Sequence, residues 1–184
     1  MTARIEKGGM VWIQEPTHLE EICARETMYP SVLTAVRKNT NVENSHGTVF
    51  GYVVNGSILI RSKGIKSAEL TEGNYFSSPD KLNVEFDGEG LLVVIQRIGY
   101  HGMNTMGMRE KSCRLAYIDG CSDTILVMPP RLGNPVYNHL HFPFGVNKSQ
   151  HTHPTIRMGI IADGEGVAYG PDWEIKMTKG GVFY

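Results

Sequence analysis

The sequence predicts an all-β protein, an antiparallel sandwich or barrel, and three observations predict it. Short apolar runs recur from Thr48 onward at regular spacing, with glycine turns between them. An Asn55-Gly56 dipeptide separates two of these runs, which is the strongest short-range signal for a hairpin. The chain also aligns with itself. His46 to Gly56 lines up with His153 to Gly164, allowing one inserted residue, and Leu70 to Phe76 lines up with Met177 to Phe183. Shared order and spacing point to one structural unit used twice.

Taken in order, Met10 to Gln14 reads as a short strand. Thr17-His-Leu-Glu20 is a capping box: the threonine hydroxyl accepts from the Glu20 amide while the Glu20 side chain reaches back. Leu19, Ile22 and Cys23 follow at helical spacing, and Val32, Leu33, Ala35 and Val36 do so after the break at Pro30-Ser31. Two short helices are therefore expected near the N-terminus. Strands are expected over 48–54 and 57–60, around Gly73 in 69–76, and over 82–86 and 91–96. The stretch 100–109 carries Met103, Met106 and Met108. It reads as a linker packed on a neighbour, with a methionine-lined binding surface as the alternative. The expected division is a strand-and-helix appendage over 1–43, a first unit over 44–100, a connector over 101–112 and a second unit over 113–184.

A chain of 184 residues suits one compact domain or two small ones packed together. It buries roughly 70% of its unfolded surface and needs no covalent staples. The formal charge of −1 offers no electrostatic reason to expect nucleic acid or an anionic membrane as partner. Cys23, Cys113 and Cys121 are odd in number and widely spaced, which argues for a reducing compartment and for unreactive thiols. The polar N-terminus lacks a signal-peptide core, and the densest apolar stretch, Leu91 to Ile95, is far below the ~20 residues that span a bilayer. A soluble cytoplasmic protein is expected.

The chemistry concentrates in the second unit. Five residues separate Gly145 from His151-Thr-His153, and Gly164 lies further on. On an extended strand, residues two apart point to one side, so two imidazoles would meet at one point, as a metal requires. His139 and His141 form another such pair on the strand before Gly145, placing four of the seven histidines within fifteen residues. This spacing resembles the first signature of the cupin superfamily: Gly, five residues, His-x-His, three or four residues, Glu, six residues, Gly. With the internal repeat it resembles a two-domain cupin, or bicupin, over roughly 44–184. The resemblance implies a jelly-roll fold and a divalent transition metal (Fe, Mn, Ni or Zn) held by His151 and His153. His141 and then His139 are the further candidate ligands, and Gln150 is a neutral one.

One fixed position departs from the pattern. Where such proteins place a metal-binding Glu, this chain has Arg157, which is permanently charged and cannot coordinate. Arg157 is read either as a clamp for a substrate carboxylate, or as an ion-pair partner of Asp163 or Asp172, or as simply exposed. The first unit is poorer, with Asn44 and His46 where the second has His151 and His153, and is expected to serve packing only. The second copy also stops early. A second signature would start near Gly180 and carry its histidine past Tyr184, so a truncated unit with an open sheet edge is expected, and with it a homodimer.

No phosphate-binding loop, dinucleotide fingerprint or serine-nucleophile elbow occurs. Asp119-Gly-Cys121-Ser-Asp123 reads as a polar turn rather than a nucleophile site. Two functional readings stand. The first is a metal-dependent small-molecule enzyme of the oxygenase or isomerase class. The second is a non-catalytic cupin that binds a small ligand or serves as a structural dimer.

Overall fold

The structure is a computed structural model that describes residues 3–16, 19–25, 27–43 and 47–184. Its strands in chain order are β1 (Ala3–Lys7), β2 (Met10–Gln14), β3 (Leu19–Cys23), β4 (Ser31–Val36), β5 (Thr40–Val42), β6 (Gly47–Ser62), β7 (Lys66–Thr71), β8 (Asn74–Ser78) and β9 (Leu82–Ile98). Then come β10 (Thr105–Met108), β11 (Leu115–Ala116), β12 (Ser122–Val127), β13 (Tyr137–His141), β14 (Gly159–Ile160), β15 (Glu165–Gly170), β16 (Trp173–Thr178) and β17 (Val182–Phe183). Among the described residues the one helical element is a single 3-10 turn, Ile118–Gly120.

Two long strands organise the first half. β6 and β9 pair antiparallel from Gly47↔Ile98 to Arg61↔Asn83, and their register slips between Val53 and Ser57. Asn55-Gly56 is thus a bulge inside one continuous strand, not the expected hairpin turn. The reason is local. Gly56 takes φ 81°, and a Cβ there would lie 2.5 Å from the Glu89 carbonyl oxygen of β9. The glycine therefore lets two strands bend together rather than one strand reverse. On one side of the bend the β6–β9 ribbon is flanked by β8 and β4, and on the other by β7 and β5. The sheet folds over and encloses Val49, Val53, Ile58, Ile60, Phe76, Val84 and Val94.

The alternate residues of the same strands face a second core. Tyr52 and Val54 of β6 and Leu91, Val93 and Ile95 of β9 pack with Ile13, Leu33, Ala35 and Val182. β9 is thereby buried on both faces, which explains why 91–95 is continuously apolar rather than alternating. Each such side chain contributes about 1.5–3 kcal/mol on burial.

The two expected helices are strands. β3 pairs with β4, and β4 pairs with β9 from Ser31↔Arg97 to Val36↔Leu92. Val32, Thr34 and Val36 are β-branched, and Ser31, Leu33 and Ala35 turn inward while Val32 and Thr34 stay half-buried. A free sheet edge beside β9 overrode a helical spacing that is ambiguous over so few residues. The proposed capping box starts at Thr17, outside the described residues, as do Asn44 and His46.

The second half is built from smaller sheets, β11-β12-β13 and β15-β16, with a four-stranded sheet in the order β1-β2-β17-β14. Val182 and Phe183 pair with Ile13 and Trp12, and on their other side with Ile160 and Gly159. The last strand therefore has partners on both sides, and the N-terminal hairpin occupies the edge expected to be open there. Trp12 is fully buried at this join, and a Cβ on Gly181 would lie 2.0 Å from its ring. The expected connector also contributes a strand, since β10 pairs with β8 at the edge of the large sheet.

Candidate functional site

His139 and His141 lie on β13, opposite Thr124 and Ser122 of β12, and share one face with Tyr137. His139 Nδ1 is 3.2 Å from Cys113 Sγ, and the thiol also donates to the His139 carbonyl at 3.0 Å. Such a pair suggests an activated thiolate, but the electrostatics run the other way. Burial raises the Cys113 pKa above its ordinary value, and burial, then Arg109 and His141, lower that of His139. Both shifts favour the neutral forms of the pair rather than a thiolate–imidazolium pair. His141 Nδ1 stands 3.5 Å from Ser122 Oγ.

His151 and His153 lie on an irregular segment rather than the expected strand, with His151 exposed and His153 half-buried. Their rings nevertheless meet edge to face, with centroids 4.8 Å apart. The segment is set by Asp119, whose carboxylate accepts from both the backbone N–H and the hydroxyl of Ser149 at 2.7 Å. These hydrogen bonds hold the Asp119 carboxyl below its usual range. Asp119 takes φ 58° in the turn before Cys121, which is buried. Gly145 at φ 77° starts the segment and Gly164 at φ 73° ends it, so both glycines of the motif hold left-handed turns. Lys148 lies 4.7 Å from the Tyr117 ring centroid and 5.2 Å from that of Phe142, a cation held by two aromatic faces. Sequence reasoning read Asp119 only as part of a polar turn and missed Ser149 and Lys148, because the contact across thirty residues is legible only once the chain is folded.

The hydrogen bonds assign the imidazole protons. The Ser149 carbonyl can only accept, so His151 Nδ1 donates to it at 2.8 Å and leaves Nε2 as the nitrogen not engaged there. The Arg157 guanidinium can only donate, so His153 Nδ1 accepts from it at 2.9 Å and the proton sits on Nε2. Burial, then Arg157, His151 and Lys148, lower the His153 pKa and keep that ring neutral. No ion pair joins Arg157 to Asp163 or Asp172; Asp163 lies 3.9 Å from Arg109, whose Nε donates to the Tyr52 hydroxyl. Gln150 is exposed beside the pair.

These residues do not fit a transition-metal site as they stand. Among the described residues no group of three His, Cys, Asp or Glu side chains converges as metal binding needs. Arg157 occupies the lone pair of His153 Nδ1, which withdraws that nitrogen from any metal. The four side chains Lys148, His151, His153 and Arg157 form instead a basic, hydrogen-bonding loop.

The chain has the cupin fold. It is similar to the structure of protein Ylba from E. coli, with 18% identity and a TM-score of 0.59 over 98% of this chain and 84% of that one. It is also similar to a candidate glyoxylate-induced protein from Pseudomonas aeruginosa, with 12% identity and a TM-score of 0.63 over 98% and 74% of the two chains. A cupin 2 conserved barrel domain protein from Leptotrichia buccalis shares 17% identity, with a TM-score of 0.60 over 92% and 78%. No protein-family model and no curated protein matches the chain. Among the described residues no helix is long and apolar enough to cross a membrane.

Proposed function

We propose that this chain is a small-molecule-binding cupin whose basic loop recognises a carboxylate, with Arg157 as the principal contact and His151, His153 and Lys148 around it. The observation that carries the reading is the hydrogen bond from Arg157 to His153. It puts a fixed positive charge with further free donors where the sequence pattern leads one to expect a metal-binding Glu. An exposed guanidinium beside imidazoles takes a carboxylate in a two-point, charge-assisted pair. Calorimetric titration with a panel of small carboxylates tests this. Binding is expected to fall about tenfold or more in Arg157→Gln, and equal affinity in that variant would overturn the reading.

The edge-to-face approach of His151 and His153 favours a second reading, a metal-dependent enzyme of the oxygenase or isomerase class. It requires Arg157 to leave His153 and further ligands to join, with His141 and then His139 as the nearest candidates by sequence. Metal analysis of protein purified without added metal separates the two. A stoichiometric transition metal lost in His151→Ala supports the enzyme, and metal-free protein indifferent to chelators supports the binder.

A homodimer belongs to the same proposal. Met106 and Met108 are exposed on β10, at the edge of the large sheet, which supports pairing with a second copy. Light scattering that shows a monomer across a wide concentration range would remove it.

A further inference from the structure

Lys148 is the basic residue of the histidine loop whose surroundings suit covalent chemistry. Its main chain is fixed on both sides: the Tyr169 hydroxyl donates to the Lys148 carbonyl, and the next residue, Ser149, is bound by Asp119. The side chain is half-buried and its amine lies against the rings of Tyr117 and Phe142, so apolar surface replaces part of its water. Among the described residues no carboxylate forms an ion pair with that amine. Burial lowers the Lys148 pKa from its ordinary value; Arg157 adds to the lowering, and Cys121, Asp119 and Asp123 oppose it through space.

Desolvation and a neighbouring cation are the two conditions that make a lysine amine a nucleophile toward carbonyl carbon. Tyr117 and Phe142 supply the first, and Arg157 supplies the second. Arg157 also limits what can be presented to the amine. A guanidinium takes a carboxylate in a two-point pair, whereas an amine forms an imine only with an aldehyde or ketone. A ligand that satisfies both residues therefore carries a carboxylate and an oxo group on one short skeleton.

We infer that Lys148 forms a reversible imine with a small oxo acid whose carboxylate is held by Arg157, an inference that rests on the carboxylate reading above. In this step Lys148 Nζ bonds to the carbonyl carbon and the carbon–oxygen bond breaks. The oxygen leaves as water with the two protons of the neutral amine, and no further reactant is consumed.

The experiment incubates the full chain with pyruvate and cyanoborohydride, which reduces an imine to a stable amine, and locates the adduct by peptide mass spectrometry. Lys148 is expected to be labelled ahead of the other lysines. Lys148→Arg, which keeps a cation between the rings, is expected to lose that label and leave the remaining pattern unchanged. Acetone, which has the carbonyl without the carboxylate, is the control. Arg157→Gln is expected to lower the pyruvate-to-acetone ratio of labelling at Lys148 about tenfold. Label spread evenly over the lysines, or a ratio unmoved by Arg157→Gln, would overturn the inference. Calorimetry with lactate, which has the carboxylate but no carbonyl, tells this failure from that of the carboxylate reading. Lactate binding that depends on Arg157, with no pyruvate adduct at Lys148, removes the imine alone. Absence of both lactate binding and adduct removes the two together.

Discussion

The two halves of this molecule use β-structure in opposite ways. In the first, the bent β6–β9 ribbon closes over Val49, Val53, Ile58, Ile60, Phe76, Leu82 and Val84, every one 1% exposed or less. Its interior holds no titratable side chain among the described residues. In the second, short sheets are joined by long irregular segments, and histidines, Cys113, Lys148 and Arg157 crowd together with half-exposed aromatics. A barrel that fills itself with branched aliphatic side chains gains stability and leaves no room for a ligand. A half that leaves side chains unpacked gives up that stability and keeps groups available for chemistry. The first half is the scaffold, and the second carries the histidine loop.

Mutations that break packing should therefore separate the halves most sharply. Phe76→Ala, within the first core, is expected to cost about 3–5 kcal/mol in urea unfolding. Phe144→Ala, at a fully exposed ring of the second half, is expected to change stability by less than about 0.5 kcal/mol. Equal losses would show that the second half is packed as tightly as the first. The join between halves comes next. Gly181→Ala drives a Cβ against the Trp12 ring of the N-terminal hairpin and is expected to destabilise by about 1–3 kcal/mol. A neutral result would mean that the hairpin does not close the second half.

Smaller effects sharpen the comparison inside the second half. The Asp119 carboxyl is held below its ordinary value of 3.8, mainly by the Ser149 hydroxyl and then by its N–H. A depressed acid contributes above its unfolded value and loses that contribution as pH falls through the folded one. The Asp119–Ser149 clasp is thus expected to loosen below pH 3.8, and Asp119→Asn should remove that step from the NMR titration of Ser149. His153 gives the gentlest test. Its pKa lies below the ordinary 6.5, from burial first and Arg157 second, so its neutral form stabilises the fold above that value and the contribution fades as pH falls through the lowered one. Arg157→Ala is expected to move the His153 midpoint upward in NMR without restoring 6.5, because burial remains. No movement would remove Arg157 from the site.

Much of this contrast is legible in the residues. The short apolar runs are strands, and the glycines flanking the His-x-His pair, fixed positions of the motif, hold left-handed turns. The self-alignment has a counterpart in Gly73 and Gly180, which take φ 88° and 84° at the turns between β7 and β8 and between β16 and β17. Other readings failed for one shared reason. Ser31 to Val36 fits a helix by local spacing and becomes a strand because β9 offers a partner; Asn55-Gly56 fits a hairpin and becomes a bulge because Glu89 lies across from it. Short-range patterns could not contain either neighbour.

Composition and periodicity by themselves decided the all-β character and the concentration of imidazoles in one segment, because alternation and spacing are properties of the chain. Folding alone decided that β9 is buried on both faces, that Trp12 and Ile13 pair with Phe183 and Val182, and that Arg157 takes the lone pair of His153. The reason is physical: which side chain meets which, and which nitrogen keeps its proton, depends on contacts between segments that lie far apart in sequence.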